Sequence, residues 1–118
     1  MLRQLPGLDF FKLMGTGSGK TFTVRDADLH HWCTLTVWGN EQDAQNYLSS
    51  KPARQWAKIA NQQAHIELLP LASKGTWAGE SPFGNPIPEK WTGLTAALTR
   101  AAIKPKWWLE FWRSVPPV

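Results

Sequence analysis

Cysteine is almost absent from this chain, which has one, Cys33, among 118 residues. A single thiol excludes an internal disulfide and any metal site built from several cysteines. Cys33 lies in the apolar run 32–38, which favours a buried core thiol. Long hydrophobic runs are also missing: no stretch approaches the ~18 apolar residues of a membrane-spanning helix, and the N-terminus has no extended apolar segment of the secretory type. We therefore expect a soluble protein of the cytoplasm.

Charge of one sign is not concentrated anywhere along the sequence. The formal net charge is +4 and the pI about 9.5, but the lysines and arginines are scattered, with no run of five. A scattered excess is typical of solvated surface charge, and no basic stripe accompanies the aromatic residues, so we expect no nucleic-acid partner. Hydrophobic residues make up 42% and charged residues 19%, which is ordinary for one globular domain covering residues 1–118.

Tryptophan is abundant, with eight residues. Its large amphipathic side chain either packs in a core or lines a pocket or an interface. Near the C-terminus, Pro105 suits the first turn of a helix, and four aromatic residues recur on one side of it, here called the aromatic face: Trp107, Trp108, Phe111 and Trp112. Such a face fits a core or subunit interface first, and an extended polyene second. The flanking cations suit contact with a membrane surface: Lys104, Lys106 and Arg113.

Patterns of apolar residues predict an α+β chain. Strands are predicted at 8–14, 21–24, 31–38, 66–71 and, with helix as the alternative, 92–103. Turns or loops are predicted between them, at 15–19, 26–28 and 74–89.

Helix signals occupy the middle of the chain. Asn40 suits a helix N-cap with Asp43 three residues on, and Pro52 divides the helical pattern into two short helices or one kinked helix. The order of elements indicates an antiparallel sheet with helices on one face, as in the ferredoxin-like fold.

Gly15–Thr21 reads Gly-Thr-Gly-Ser-Gly-Lys-Thr and looks like a phosphate-binding loop, in which backbone N–H groups and a lysine hold phosphates. Three observations count against a nucleotide site. Met14 stands where the motif carries glycine, the β-branched residues 21–24 do not open a helix, and no apolar strand ends in aspartate. We therefore favour a hairpin turn. The discriminating variant is Lys20→Ala, because nucleotide binding that survives it is not of the P-loop type.

Short motifs run through most of the chain in a recognisable order. Phe11–Thr23 reads Phe-Lys-Leu-Met-Gly, a Gly-rich turn, then Phe-Thr, and 32–38 is a strand-like run ending in tryptophan. Trp56 and Ala57 lie in the predicted helix after it. Further segments lie at 69–71, 75–79, 81–83, 97–105 and 111–117. In this order and spacing they resemble the spheroidene monooxygenase family of carotenoid oxygenases.

The resemblance implies an α+β barrel built from two ferredoxin-like repeats, the dimeric α+β barrel. Residues 1–78 resemble the later part of the first repeat and residues 90–118 the start of the second. Family members are longer than this chain, so we expect it to work as a homo-oligomer or with a partner chain. The implied activity is a haem-assisted monooxygenation that places a keto group on a carotenoid or similar hydrophobic substrate. The alternatives are a non-catalytic barrel half, serving as a structural or ligand-binding module, and a P-loop-like nucleotide binder.

Haem implies an axial ligand, and neutral histidine is the usual one. The candidates are His31 and His30, followed by His65; the adjacent pair faces opposite sides of a predicted strand start, where exposed loop-edge histidines are the commoner alternative. Basic partners for the haem propionates, otherwise solvated surface charges, are expected among Lys12, Lys20, Arg25 and Arg100. The aromatic face is the expected substrate surface. No Ser-His-Asp or Cys-His arrangement stands out, and the histidines form no convincing metal cluster, so no catalytic residue is assigned.

Overall fold

Two long strands and two short helices form the first half of the chain. The structure, a computed structural model, describes residues 4–18, 24–87, 90–100 and 103–114. Its elements are β1 (Leu8–Gly17), a 3₁₀ turn (Val24–Asp26), β2 (Ala27–Trp38), α1 (Glu41–Leu48), α2 (Lys51–Ile59), a second 3₁₀ turn (Pro105–Trp107) and α3 (Trp108–Ser114). The α+β class is confirmed. Of the described segments, none contains a helix long and apolar enough to cross a membrane.

β1 and β2 pair as an antiparallel two-stranded sheet. Backbone hydrogen bonds mark its two ends: Gly39 N donates to Gly7 O at 2.9 Å, and Ser18 N donates to Asp26 O at 2.9 Å. Both strands are longer than predicted. The turn expected at 15–19 begins only after Gly17, and the loop expected at 26–28 is already strand from Ala27. Pairing with a neighbouring strand overrides the weak strand propensity of glycine and aspartate at these positions. Residues 21–23 of the predicted second strand lie outside the described residues.

The two helices begin at side-chain caps. The Asn40 side-chain oxygen accepts a hydrogen bond from Asp43 N at 2.9 Å, and Ser50 Oγ accepts one from Ala53 N at 3.3 Å. Each bond satisfies a backbone donor that lacks a partner inside its helix. Pro52 lies in the first turn of α2, where its missing N–H costs nothing. The region 41–59 therefore forms two short helices, which is one of the two arrangements that the sequence predicts there; the other was a single kinked helix.

The chain divides into two compact units. The first unit comprises Met1–Lys12 and Thr36–Gly93, and the second comprises Leu13–Leu35 and Leu94–Val118. The prediction of a single domain over 1–118 is not tested by this division. Among the described residues, the buried hydrophobic side chains all belong to the first unit: Phe10, Ala53 and Trp77.

A tight turn orders the loop of the first unit. Trp77 and Glu80 exchange two backbone hydrogen bonds, of 2.7 and 3.1 Å, around Ala78 and Gly79, which both have positive φ (57° and 87°). Positive φ at both central residues is the pattern of a tight hairpin turn. The Trp77 indole is buried and meets the Phe83 ring edge-on, with centroids 5.8 Å apart. The loop predicted at 74–89 is therefore confirmed as far as residue 87, with a small ordered cluster inside it.

Two predicted strands are wrong. Residues 62–74 and 94–100 have no regular structure, neither strand nor the helix that was the alternative for 92–103, although both segments are rich in apolar residues. Residues 101 and 102 of the second prediction lie outside the described residues. Ile66, Leu69 and Leu94 are exposed. A strand needs a neighbour to satisfy its backbone groups and to cover its side chains. Within the described residues the only sheet is the β1–β2 pair, and neither segment pairs with it.

The expectation of a buried Cys33 is also wrong. Cys33 lies in the middle of β2 and is exposed. The apolar run around it correctly predicts the strand. Burial of a strand residue requires a second layer over its face, and the neighbouring Trp32 is exposed as well.

The Asn40 cap gives the first testable prediction. We expect Asn40→Ala to lower the free energy of unfolding by about 1 kcal/mol, because it leaves the Asp43 N–H without its acceptor. Urea unfolding followed by circular dichroism measures the change. Asn61→Ala is the matched control, since Asn61 is exposed and lies outside the helices. Equal losses in the two variants would show that the cap has no specific role.

Tyr47 gives a pH-dependent prediction. Its ring lies 5.4 Å from that of Trp38, and burial raises the pKa of Tyr47 above its ordinary value of 10.0. The folded chain therefore resists ionisation of this phenol more than the unfolded chain does. The contribution of Tyr47 to the free energy of unfolding is expected to be fully present below the ordinary pKa of the phenol. It should be lost as pH rises through the raised pKa of the folded chain.

Tyr47 is the sole tyrosine of the chain, so phenolate absorbance reports on it alone. A titration of the folded chain should show a higher midpoint than one in urea. Tyr47→Phe should remove its share of the alkaline loss of stability. A folded midpoint at or below the unfolded one would contradict the assignment.

Candidate functional site

A small cavity, here called the hairpin cavity, lies where the connection leaves β1 and enters β2. Its volume is about 310 Å³, and it is lined by Ser18, Arg25, Asp26, Ala27, Asp28, Leu29 and His30. All of these residues belong to the second unit. Ser18, just after β1, is hydrogen-bonded to Asp26, just before β2. Its backbone N donates to Asp26 O, and its hydroxyl donates to the Asp26 carboxylate. Charged and polar side chains thus dominate the wall.

Asp28 organises the histidines beside this cavity. One of its oxygens, Oδ1, accepts from His30 N at 2.8 Å, and the other, Oδ2, lies 2.7 Å from His31 Nδ1. The first contact is the usual one of an aspartate with the backbone two residues on. The His30 N–H, and after it the His31 side chain, lowers the pKa of Asp28 below its usual value. Asp28 is therefore a carboxylate at neutral pH.

The backbone of His31 is fixed from the opposite strand. Thr16 Oγ1 in β1 donates to the His31 carbonyl at 2.9 Å. Next along β2, Trp32 Nε1 donates to the Leu29 carbonyl at 3.2 Å, which lays its indole along the backbone beside the histidines. The His31 side chain is 76% exposed and that of Asp28 22%. The result is an accessible imidazole whose position is set by two elements.

The structure brings some of the predicted haem-binding residues together. Arg25 and His30 both line the hairpin cavity, and His31 is joined to its wall through Asp28. Lys12 and Arg100 are not part of this lining; Arg100 is exposed in the irregular segment 94–100. Lys20 lies outside the described residues. The cofactor-binding set thus remains a prediction, with His30, His31 and Arg25 as its spatially related members.

Asp28 is a candidate site residue that the sequence pattern does not single out. A polar loop is expected at 26–28, and a loop carboxylate by itself indicates no role. The available signal is its spacing: an aspartate placed three residues before a histidine can accept from both the backbone and the ring when the chain turns into a strand. In the part of the chain that the structure describes, no three histidine, cysteine or carboxylate side chains gather as a metal site. The imidazoles of this site are those of His30 and His31, and His31 is the one whose ring contacts a carboxylate.

The aromatic face is exposed in the described residues. Trp107 and Trp108 are each about half exposed, at 51% and 49%, and Phe111 is exposed as well. The side chain of Trp112 lies outside the described residues. Lys106 Nζ sits 5.3 Å from the Trp107 ring centroid, a cation–π distance. Pro105 begins this segment, as predicted. The exposure excludes a core role for these three side chains within the described chain and fits an interface or a substrate surface.

Haem can be tested against the residues present. A histidine that binds a metal usually hydrogen-bonds a carboxylate or carbonyl through its other ring nitrogen, and His31 has this arrangement with Asp28. Arg25 supplies a cation for a propionate. Trp32 and Leu29 supply exposed apolar surface beside them. The donor set therefore fits an axial ligand with a basic neighbour.

These features define a two-stranded hairpin that carries one positioned imidazole, that of His31. Comparison with known proteins points to one group. The chain is 34% identical to the spheroidene monooxygenase of Cereibacter sphaeroides over 119 aligned positions, which cover 99% of this chain and 36% of that protein. It is 33% identical to the Rhodobacter capsulatus protein of the same name over 123 positions, covering 99% of this chain and 49% of that protein.

A third relative, the spheroidene monooxygenase of Rubrivivax gelatinosus, is 28% identical over 95% of this chain and 43% of its own length. No protein-family model and no solved structure matches the chain. The resemblance to spheroidene monooxygenases over part of their length is thus confirmed. The chain spans half or less of the length of these curated relatives.

Proposed function

We propose that this chain is part of a monooxygenase of the spheroidene monooxygenase type, which oxygenates a carotenoid or similar hydrophobic substrate with the help of haem. The observation that carries the proposal is the similarity to three proteins of that name over nearly the whole chain. The positioned imidazole of His31 supports it independently, because a haem enzyme needs an axial ligand.

The proposed reaction is an oxygen insertion into a C–H bond. Dioxygen, two electrons from an external one-electron donor and two protons place one oxygen atom in that bond and release the other as water. A second insertion at the same carbon, followed by loss of water, gives a keto group. Bound haem supplies the activation of dioxygen in this chemistry. The chain's own part is to hold the iron through His31 and to pair a propionate with Arg25.

The aromatic face is the proposed substrate surface. A carotenoid is long, flat and apolar, so it is held by contact area rather than by hydrogen bonds. Trp107, Trp108 and Phe111 present flat rings to solvent in and beside α3, and Trp112 is assigned to the same surface from the sequence. Burying one such ring against a polyene removes a large apolar area from water.

We propose that the fold is completed as a dimeric α+β barrel of ferredoxin-like repeats. Ile66, Leu68 and Leu69 are exposed in a segment with strand-like composition, and a neighbouring strand would cover them and satisfy the backbone. The proposed source is a second copy of the chain, or a partner chain that carries the other repeat. The relatives, which are at least twice as long, have the length to supply both repeats themselves.

Peripheral contact with a membrane, on its cytoplasmic side, is also proposed. Lys104, Lys106 and Arg113 flank the exposed aromatic face. Cations beside tryptophan suit the interface of an anionic bilayer, where a carotenoid dissolves.

Assembly and membrane contact are tested together by sedimentation. The chain alone is expected to sediment with a mass of two chains or more, because its apolar segments need cover. It should pellet with phosphatidylglycerol vesicles, and Lys104→Gln with Lys106→Gln should reduce pelleting, while Lys51→Gln with Lys58→Gln is the charge-matched control. A folded chain that sediments as a monomer and does not pellet with these vesicles would contradict both proposals.

Haem binding is tested by the absorbance of the purified chain before and after haemin is added. We expect a sharp Soret band that weakens in His31→Ala and not in the control His65→Ala, since His65 is exposed in the irregular segment 62–74. With a reductant, oxygen and a carotenoid in detergent, the loaded chain together with its partner should form a keto product that mass spectrometry detects. A folded chain with no Soret band would favour the non-catalytic barrel half, a structural or ligand-binding module.

A further inference from the structure

We propose that Asp28 is the positioning residue of the haem site: it keeps the proton of His31 on Nδ1 and turns Nε2 outward as the iron ligand. The inference rests on the proposed haem-assisted function and deepens it. It selects one of three histidines that the sequence leaves open. It also assigns a role to an aspartate that no comparison singles out.

The carboxylate of Asp28 is held at both oxygens. Oδ1 accepts from the backbone N of His30 at 2.8 Å, which favours one orientation of the carboxylate. Oδ2 is then left 2.7 Å from His31 Nδ1, a short distance typical of a charge-assisted hydrogen bond. The aspartate is therefore anchored by the start of β2 before it touches the ring.

His31 is anchored a second time through its backbone. Thr16 Oγ1 donates to the His31 carbonyl at 2.9 Å from the facing strand. With the main chain fixed by β1 and the ring fixed by Asp28, the imidazole has little rotational freedom left. A ligand held in advance loses less conformational entropy when it binds.

The chemistry of the pair decides which nitrogen is available. An ionised carboxylate accepts hydrogen bonds and cannot donate them. Nδ1 must therefore carry a hydrogen, and in the neutral imidazole Nε2 is left with its lone pair. Nε2 has no hydrogen-bond partner among the described residues, and the side chain is 76% exposed, so an incoming iron can reach it.

The other two histidines lack this arrangement. Asp28 binds His30 through the backbone N and leaves the His30 ring without a carboxylate partner among the described residues. His65 is exposed in an irregular segment. An imidazole ring without a fixed hydrogen-bond partner exchanges between its Nδ1–H and Nε2–H tautomers and changes rotamer freely. His31 is thus the histidine whose geometry matches a metal ligand.

The first test needs no haem. In the apo chain, nitrogen-15 NMR of the His31 ring should show the proton on Nδ1 at a pH where the ring is neutral. Asp28→Asn and Asp28→Ala should abolish that preference, and Asp28→Glu should restore part of it. Glu67→Gln is the control, because it removes one exposed carboxylate elsewhere. An unchanged tautomer in Asp28→Ala, which removes the acceptor, would overturn the inference if the chain is folded.

The second test uses haemin. Loss of an outer-shell carboxylate typically costs 10- to 100-fold in metal affinity, so Asp28→Asn should weaken haemin binding by about 10-fold or more. His31→Ala should weaken it at least as much, and the double variant should add no further loss, because Asp28 acts only through His31. Additive losses would overturn the positioning role.

The two proposals fail in different ways. A wild-type chain that shows the Nδ1 tautomer and binds no haemin, even as the assembled protein, overturns the haem-assisted function and the ligand role of His31 with it. Haemin binding that is lost in His30→Ala or His65→Ala, and kept in His31→Ala, overturns the present inference and the ligand role of His31, while the haem-assisted function stands.

Discussion

Pairing of β1 with β2 is the interaction on which the described site depends. The hairpin brings Thr16 within hydrogen-bond distance of the His31 carbonyl and Ser18 within that distance of Asp26, and Ser18 and residues 25–30 line the cavity. Neither strand could hold these groups alone, because an isolated strand has no partner for its backbone bonds. The pairing of the two strands therefore sets the position of the His31 backbone, and the contact with Asp28 sets the orientation of the His31 ring.

The first unit is stabilised by few buried side chains. Phe10, Ala53 and Trp77 are its buried hydrophobic residues among those described. Helix caps and the two aromatic pairs add local order, but such terms are small beside the conformational entropy of an ordered chain. A small folded unit buries a smaller fraction of its surface than a large one, so its stability is correspondingly marginal. The proposed assembly would supply protein surface that covers the exposed apolar residues Ile66, Leu68 and Leu69.

Features set by neighbours in sequence are predictable here, and features set by distant partners are not. Asn40 and Asp43 are three residues apart, so the cap of α1 can be recognised directly. Ile66 and its apolar neighbours have strand composition, yet a strand forms only where another strand lies beside it. Cys33 shows the same limit for burial, since the periodicity of β2 says nothing about what covers its face. The role of Asp28 could not be predicted from the sequence, because it depends on how the chain passes from a turn into a strand. A polar turn and an apolar strand are both common patterns, and neither indicates a contact between an aspartate and a histidine. The resemblance to spheroidene monooxygenases is recognisable from ordered short motifs, although no one of them identifies the family.

The exposed position of Cys33 has a practical consequence. It is the chain's sole thiol, and it lies two residues beyond His31 on the same strand. Residues two apart on a strand share a face. A maleimide-linked fluorophore or spin label would therefore attach at one position only, beside the imidazole. Every signal from such a label would report on that one face of the sheet, without a need to remove competing cysteines first.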